Sequence, residues 1–243
     1  MELPDKYTQE LTVQPSGSDF EGKLSVYDTF RVFMDLANAH AERLGIDQRT
    51  FMDRGLFWLT VKTRIKFFRK AAMTTRLRAE TWPLAPLSLR TDRCYRLSDE
   101  DGLVAEGRTE WAVMDTANGR LADLPGLFPA DLKYSGDRVS IEDFPRITVR
   151  ESDMVCKGTY KVTSSDIDMG LHMNNGAYVR AILGFFTVRE LKDMDIREMT
   201  VVFRTSAHEG DVLSMRMKRS DREVDCALFL PDGKPAAIAQ IIC

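Results

Sequence analysis

The feature that most constrains this chain is that it carries one unit twice. An acidic turn, Ser18-Asp19-Phe20-Glu21-Gly22-Lys23-Leu24, leads into a helical pattern with apolar residues at Val26, Phe30, Phe33, Ala37, Ala41 and Leu44. Strand-like runs follow at 57–68, 74–82, 87–97 and 104–114, the last two joined by the hairpin turn Asp99-Glu100-Asp101-Gly102. The same order returns from Gly158: a short run to Thr163, an acidic turn over 166–175, an apolar helix over 176–191, and strands at 199–204, 212–218, 223–230 and 236–242, with Pro231-Asp232-Gly233 as the hairpin turn. Asp19 and Asp168 correspond, 149 positions apart. A repeat of this size sets both the fold and the place to look for a site, because copies that share a fold need not share chemistry.

The first helix has signals at both ends. Ser25 with Asp28 reads as a capping box, and Gly45 reads as the stop. The second is apolar on nearly every side, through Tyr178, Val179, Ala181, Ile182, Leu183, Phe185, Phe186 and Val188, so it must be wrapped rather than laid on a surface. A helix followed by antiparallel strands implies an α+β class. The architecture expected is a tandem (double) hot-dog, two antiparallel sheets each wrapping a long helix, with domains at 1–130 and 151–243. The polar stretch 131–150, containing Gly136 and Pro145, is the expected linker.

Composition narrows the function. A formal net charge of −3 and a pI near 5.7 argue against nucleic acid as partner. Cys94, Cys156, Cys226 and Cys243 lie far apart with no CxxC pair, so neither a zinc site nor a disulfide framework is implied, and a reducing cytosol suits them. The start, Met1-Glu2-Leu3-Pro4-Asp5-Lys6, has no signal-peptide pattern, and no apolar run reaches the roughly 18–20 residues of a membrane span. The expectation is a cytoplasmic protein without membrane, metal or cofactor.

Chemistry concentrates in Ser165-Asp166-Ile167-Asp168-Met169-Gly170-Leu171-His172-Met173-Asn174-Asn175. Asp168 can serve as base or nucleophile, and His172 can polarise or shuttle a proton near neutral pH. Asn174 or Asn175 can cap the following helix, whose first N–H groups suit a developing oxyanion. Of the three histidines, His40 sits in the first helix and reads as structural, while His208 falls at an expected strand end and reads as surface.

This segment, continued through Gly176-Ala177-Tyr178, resembles the signature of acyl-ACP thioesterases, in which an Asp-x-Asp pair precedes His-x-Asn-Asn and a helical Tyr. Asp19 to Leu24, Ala37 to Gly45, Leu56-Phe57-Trp58-Leu59, Glu80-Thr81-Trp82-Pro83 and Trp111-Ala112-Val113-Met114-Asp115 are similar to that family too, so the resemblance spans nearly the whole chain. It implies hydrolysis of acyl-ACP to free fatty acid, acyl carrier protein as partner, Asp168 and His172 as catalytic, and Gly170, Asn174, Asn175 and Gly176 as substrate-binding. The alternatives are an acyl-CoA thioesterase of the hot-dog type and a weakened acyl-binding protein. Two positions depart from the family pattern: Gly170 stands where an Asn is usual, and Ser206 where a carboxylate is expected. His208 and Glu209, beside that place, would face elsewhere on a regular strand. The first copy has Lys23 where the second has His172, so it is expected to shape the acyl pocket, with Phe30, Phe33 and Met34 as lining candidates. Lys62, Arg64, Lys66, Arg69, Lys70, Arg90, Arg93 and Arg96 form the set from which a docking patch for the acidic carrier would come. Since the doubled chain supplies both halves, the expected state is a monomer or a homodimer.

Overall fold

The computed structural model describes residues 4–141 and 143–243. Contacts divide the chain into two compact units, Met1–Glu142 and Asp143–Cys243.

In the first unit the strands are β1 (Tyr7–Thr12), β2 (Leu56–Phe67), β3 (Arg76–Pro83), β4 (Thr91–Asp99) and β5 (Gly102–Asp115). They pair antiparallel in the order β1-β3-β4-β5-β2. In the second, β6 (Val155–Lys161), β7 (Glu198–Phe203), β8 (Val212–Arg219), β9 (Glu223–Phe229) and β10 (Pro235–Ile242) pair in the order β6-β8-β9-β10-β7. Both units therefore follow one strand order, first-third-fourth-fifth-second. β1 was not legible as a strand: Tyr7–Thr12 is an edge strand whose side chains are mostly exposed, so it carries no apolar alternation.

Helix α1 (Val26–Arg43) starts where Ser25 Oγ accepts the Asp28 N–H at 3.0 Å. The box closes only on that side, because the Ser25 N–H goes to the Gly17 carbonyl and the Asp28 carboxylate to Arg31. It stops at Gly45, left-handed at φ 68°, with the Ile46 N–H returning to the Ala41 carbonyl. A five-residue helix, α2 (Gln48–Met52), follows, capped by Asp47.

The second unit corrects one expectation. The helix expected over 176–191 is two: α3 (Asn175–Leu183) and α4 (Val188–Met194). Thr187 and Glu190 form a complete capping box, a helix-start signal lying inside the expected helix, and it outweighs continuous apolar character. The apolar run is explained by burial of Tyr178, Val179, Ala181, Ile182 and Phe186, while Val188, on α4, is exposed.

The core of the first unit lies between α1 and the sheet. Phe33 stacks on Tyr95 of β4 with ring centroids 4.6 Å apart, and a Cβ on Gly107 of β5 would stand 2.2 Å from Phe33 Cε2. Glycine at 107 is thus what lets the ring reach the sheet. Gly107→Ala is expected to destabilise by about 1–3 kcal/mol through overpacking. The check is the urea midpoint, with Gly126→Ala, where a Cβ meets nothing within 4 Å, as the neutral control.

One polar group sits deep in this core. Arg93 of β4 is buried, and its guanidinium donates to Thr81 Oγ1 at 3.3 Å and lies 3.0 Å from His40 Nδ1, while His40 Nε2 meets the Pro4 carbonyl at 3.0 Å. Burial and the Arg93 charge push the His40 imidazole down to about 4. His40 is structural, an acceptor for a buried cation that pairs with no carboxylate among the described residues.

The segment over 131–150, of which 142 lies outside the described residues, carries buried Leu132, Val139, Ile141 and Ile147. Val139 and Ile141 pack on Trp82 and Cys94. The Trp82 Nε1–H donates to the Asp137 carbonyl, and the buried Glu106 carboxylate accepts the Ser140 N–H at 2.7 Å. Ile147 packs in the second unit with Met154, Val202 and Phe229. Of the opening residues, 1–3 also lie outside those described. Among the described residues no helix is long and apolar enough to cross a membrane.

Candidate active site

The site is built on the turn between β6 and α3. Thr163 and Asp166 close a capping box around a one-turn helix, Ser164–Asp166. Asp166, 1% exposed, accepts from the Thr163 N–H and hydroxyl and the Tyr160 hydroxyl, each at 2.9 Å, and from Arg180 of α3 at 2.5 Å. Burial opposes ionisation, but these donors win and hold the carboxyl below its usual range. The first acid of the Asp-x-Asp pair is therefore a structural pin.

Asp168 is arranged differently. Its N–H donates to the His172 carbonyl at 2.9 Å, and its Oδ1 accepts the Gly170 N–H at 2.8 Å. Oδ2 meets no protein donor among the described residues. Leu171, exposed, takes the left-handed conformation at φ 59°, so the backbone does not demand glycine at 170. The Met173 N–H then anchors to the Ala207 carbonyl, and the Asn174 N–H to the Asp166 carbonyl. Asn174 is the N-cap of α3: its Oδ1 accepts the Gly176 N–H at 2.8 Å and its carbonyl those of Ala177 and Tyr178. Gly176 is buried and its N–H is engaged, while among the described residues the Asn175 N–H meets no protein acceptor.

The loop after β7 is not a continuation of the strand. Residues 204–211 leave the ladder, with Gly210 at φ 90°, so alternation of faces does not govern His208 as expected. The His208 ring lies edge-to-face with His172, centroids 5.0 Å apart and planes at 64°. The backbone N–H of His208 donates to Asp211 Oδ2 at 2.8 Å. The neighbouring Ala207 N–H donates to the Tyr178 hydroxyl of α3 at 2.8 Å. Burial, with the charges of Asp211 and Asp168 acting in the same direction, pushes that phenol up to about 12. Tyr178 is thereby a neutral hydroxyl that feels the charge of two carboxylates. Ser206, where the resemblance implies a carboxylate, is exposed in this loop.

The same turn is built in the first unit with different chemistry. Asp19 Oδ1 accepts the Glu21 and Lys23 N–H groups, the Asp19 N–H goes to the Lys23 carbonyl, and Gly22 takes the left-handed place of Leu171. The Leu24 N–H anchors to Ala71 as that of Met173 does to Ala207, so Lys70 is the counterpart of Ser206. Lys70 Nζ stands 3.9 Å from Asp19 Oδ2, and Lys23 pairs with Glu21. The first copy faces its aspartate with a cation; the second leaves it open and sets histidines beside the turn.

Nothing in either turn resembles a metal centre: among the described residues no group of three or more His, Cys, Asp or Glu could hold an ion. The basic docking set is reduced. Arg93 is interior, and Lys62 and Arg90 pair with Glu110, Arg69 with Asp99, and Arg96 with Glu106. These ladders of opposite charge are what placed so many cations on the strands.

Residues 4–129 match the family model of the acyl-ACP thioesterase N-terminal domain, and residues 149–242 that of the C-terminal domain. The chain belongs to the acyl-ACP thioesterase family. A crystal structure of an acyl-ACP thioesterase from Bacteroides thetaiotaomicron is similar over 98% of this chain and 97% of that one, at 22% identity and a TM-score of 0.88. The 12:0-ACP thioesterase of Umbellularia californica gives 0.81 at 14% identity, over 98% of this chain and 97% of that one. These likenesses establish the double hot-dog fold. The chloroplastic palmitoyl-acyl carrier protein thioesterase of Gossypium hirsutum is 21% identical over 183 residues, 72% of this chain. The match spans 44% of that relative's length, so the chain corresponds to under half of it.

Proposed function

We propose that this protein hydrolyses acyl-ACP thioesters to free fatty acid and acyl carrier protein, in the cytoplasm, as a monomer or homodimer. The observation that carries the reading is the contrast between the turns: Asp168 keeps one carboxylate oxygen free of protein donors, while Asp19 faces Lys70. Asp168 Oδ2 takes a proton from water as its oxygen attacks the thioester carbonyl carbon, or attacks that carbon itself. The Asn175 N–H, at the positive end of α3, stabilises the oxyanion. His172 passes the proton that Asp168 has taken on to the departing thiolate, so that water is added across the C–S bond; where Asp168 attacks directly, water then cleaves the mixed anhydride, giving the fatty acid, the carboxylate again and the proton that His172 delivers to the thiolate. Gly170, Asn174 and Gly176 hold the turn and the helix start against which substrate rests. The copy at 1–130 shapes the acyl pocket, 131–150 joins the copies, and 151–243 carries the chemistry. A side-by-side hydrolysis assay over acyl-ACP and acyl-CoA of several chain lengths tests this. Faster turnover of the ACP series is expected, and preference for CoA, or binding without turnover, would reject it.

A further inference from the structure

The family's carboxylate position is Ser206, which carries no charge, yet the loop places another group against the catalytic turn. We propose that His208 is a positioning residue for His172, held by Asp211, and does the work of the missing acid. The inference rests on the hydrolase reading above.

Three observations carry it. The His172 and His208 rings are in edge-to-face contact at 5.0 Å. Such contact restricts the rotation of an otherwise half-exposed imidazole, and a proton shuttle is only as good as its orientation. Residue 208 is in turn placed by Asp211: its backbone N–H donates to Oδ2 at 2.8 Å, and its ring Nδ1 stands 3.9 Å from the same oxygen. The backbone bond fixes where residue 208 stands, and the nearby carboxylate attracts the Nδ1 side of its ring. Third, the corresponding positions of the first unit, Lys23 and Ala72, form a backbone bridge. The fold thus juxtaposes these two positions in both copies, and only the copy with the open aspartate fills them with two histidines. The charged and titratable groups around the pair are Asp168 and Asp211, both felt by the Tyr178 hydroxyl, and Glu209, next in the chain.

His208 touches no reacting atom in this scheme. Asp168 and His172 move the protons, and His208 holds the His172 ring where it meets the leaving sulfur. Its side chain is 60% exposed, so its removal leaves a space that solvent can reach. In the full-length protein, His208→Ala is expected to lower kcat for acyl-ACP by about 10–100-fold, within the range of acid–base contributions, with KM and Tm unchanged. Added imidazole should restore part of the rate to His208→Ala and none to Asp168→Asn. A wild-type kcat, a loss carried by KM or by Tm, or a kcat loss that imidazole leaves untouched would each overturn the proposal. Failure of the hydrolase reading shows separately, as wild-type protein without turnover.

Discussion

Asp168→Asn is expected to lower acyl-ACP hydrolysis by about 10²–10⁴-fold, the span of a positioned acid–base group, and to leave thermal stability unchanged. The two halves of this expectation come from the two oxygens. Oδ1 accepts the Gly170 N–H at 2.8 Å, and an asparagine carbonyl does the same, so the turn survives. Oδ2 has no protein donor to lose, and its replacement by an amide removes the basic or nucleophilic oxygen. The loss should therefore fall on kcat in single-turnover kinetics, with substrate still bound. An unchanged rate would remove Asp168 from the chemistry. A loss accompanied by a fall in Tm would return it to the role that Asp166 has, which holds Thr163, Tyr160 and Arg180 together.

The second large effect is on stability against pH, and it comes from the first unit. His40 in the folded protein titrates at about 4, against an ordinary value of 6.5. Above pH 6.5 the imidazole is neutral whether the chain is folded or not, and its contribution is complete. As the pH falls below that value, the unfolded chain takes up a proton that the folded chain refuses beside Arg93. Stability is lost down to about pH 4, where the folded group also titrates. At 1.36 kcal/mol per pK unit the loss is about 3 kcal/mol. Urea midpoints measured between neutral and acid pH should show this slope, and His40→Gln should remove it while lowering stability at neutral pH. Equal slopes in the two proteins would assign acid sensitivity to carboxylates instead.

Much of this molecule was legible in the chain. The repeat, the Asp-Gly hairpins and the cap at Ser25 depend on neighbours a few residues apart; the hairpins form as read, with Gly102 and Gly233 both at positive φ between paired strands, while the expected box at Ser25 closes on one side only. The helix break at 184–187 was legible too, in Thr187 and Glu190, but was masked by an apolar run that reads the same in one buried helix or in two short ones. Arg93 shows the opposite limit. It stands among Arg90, Arg96 and other cations in the sequence, yet its strand position points it inward, where His40 of α1 and Thr81 of β3 receive it.

Sequence by itself determined that the chain holds two copies of one α+β unit, and that the second carries Asp168, His172 and a capped helix start in one turn, because these rest on local spacing. Tertiary structure decided which aspartate is engaged and which open, that Lys70 faces Asp19 while Asp168 Oδ2 meets no protein donor among the described residues, and that His208 stands against His172. The physical reason is that each of these pairs joins the turn to a loop some 36 to 51 residues further on. Only the path of the chain off the ladder at 204–211 determines which side chain arrives there.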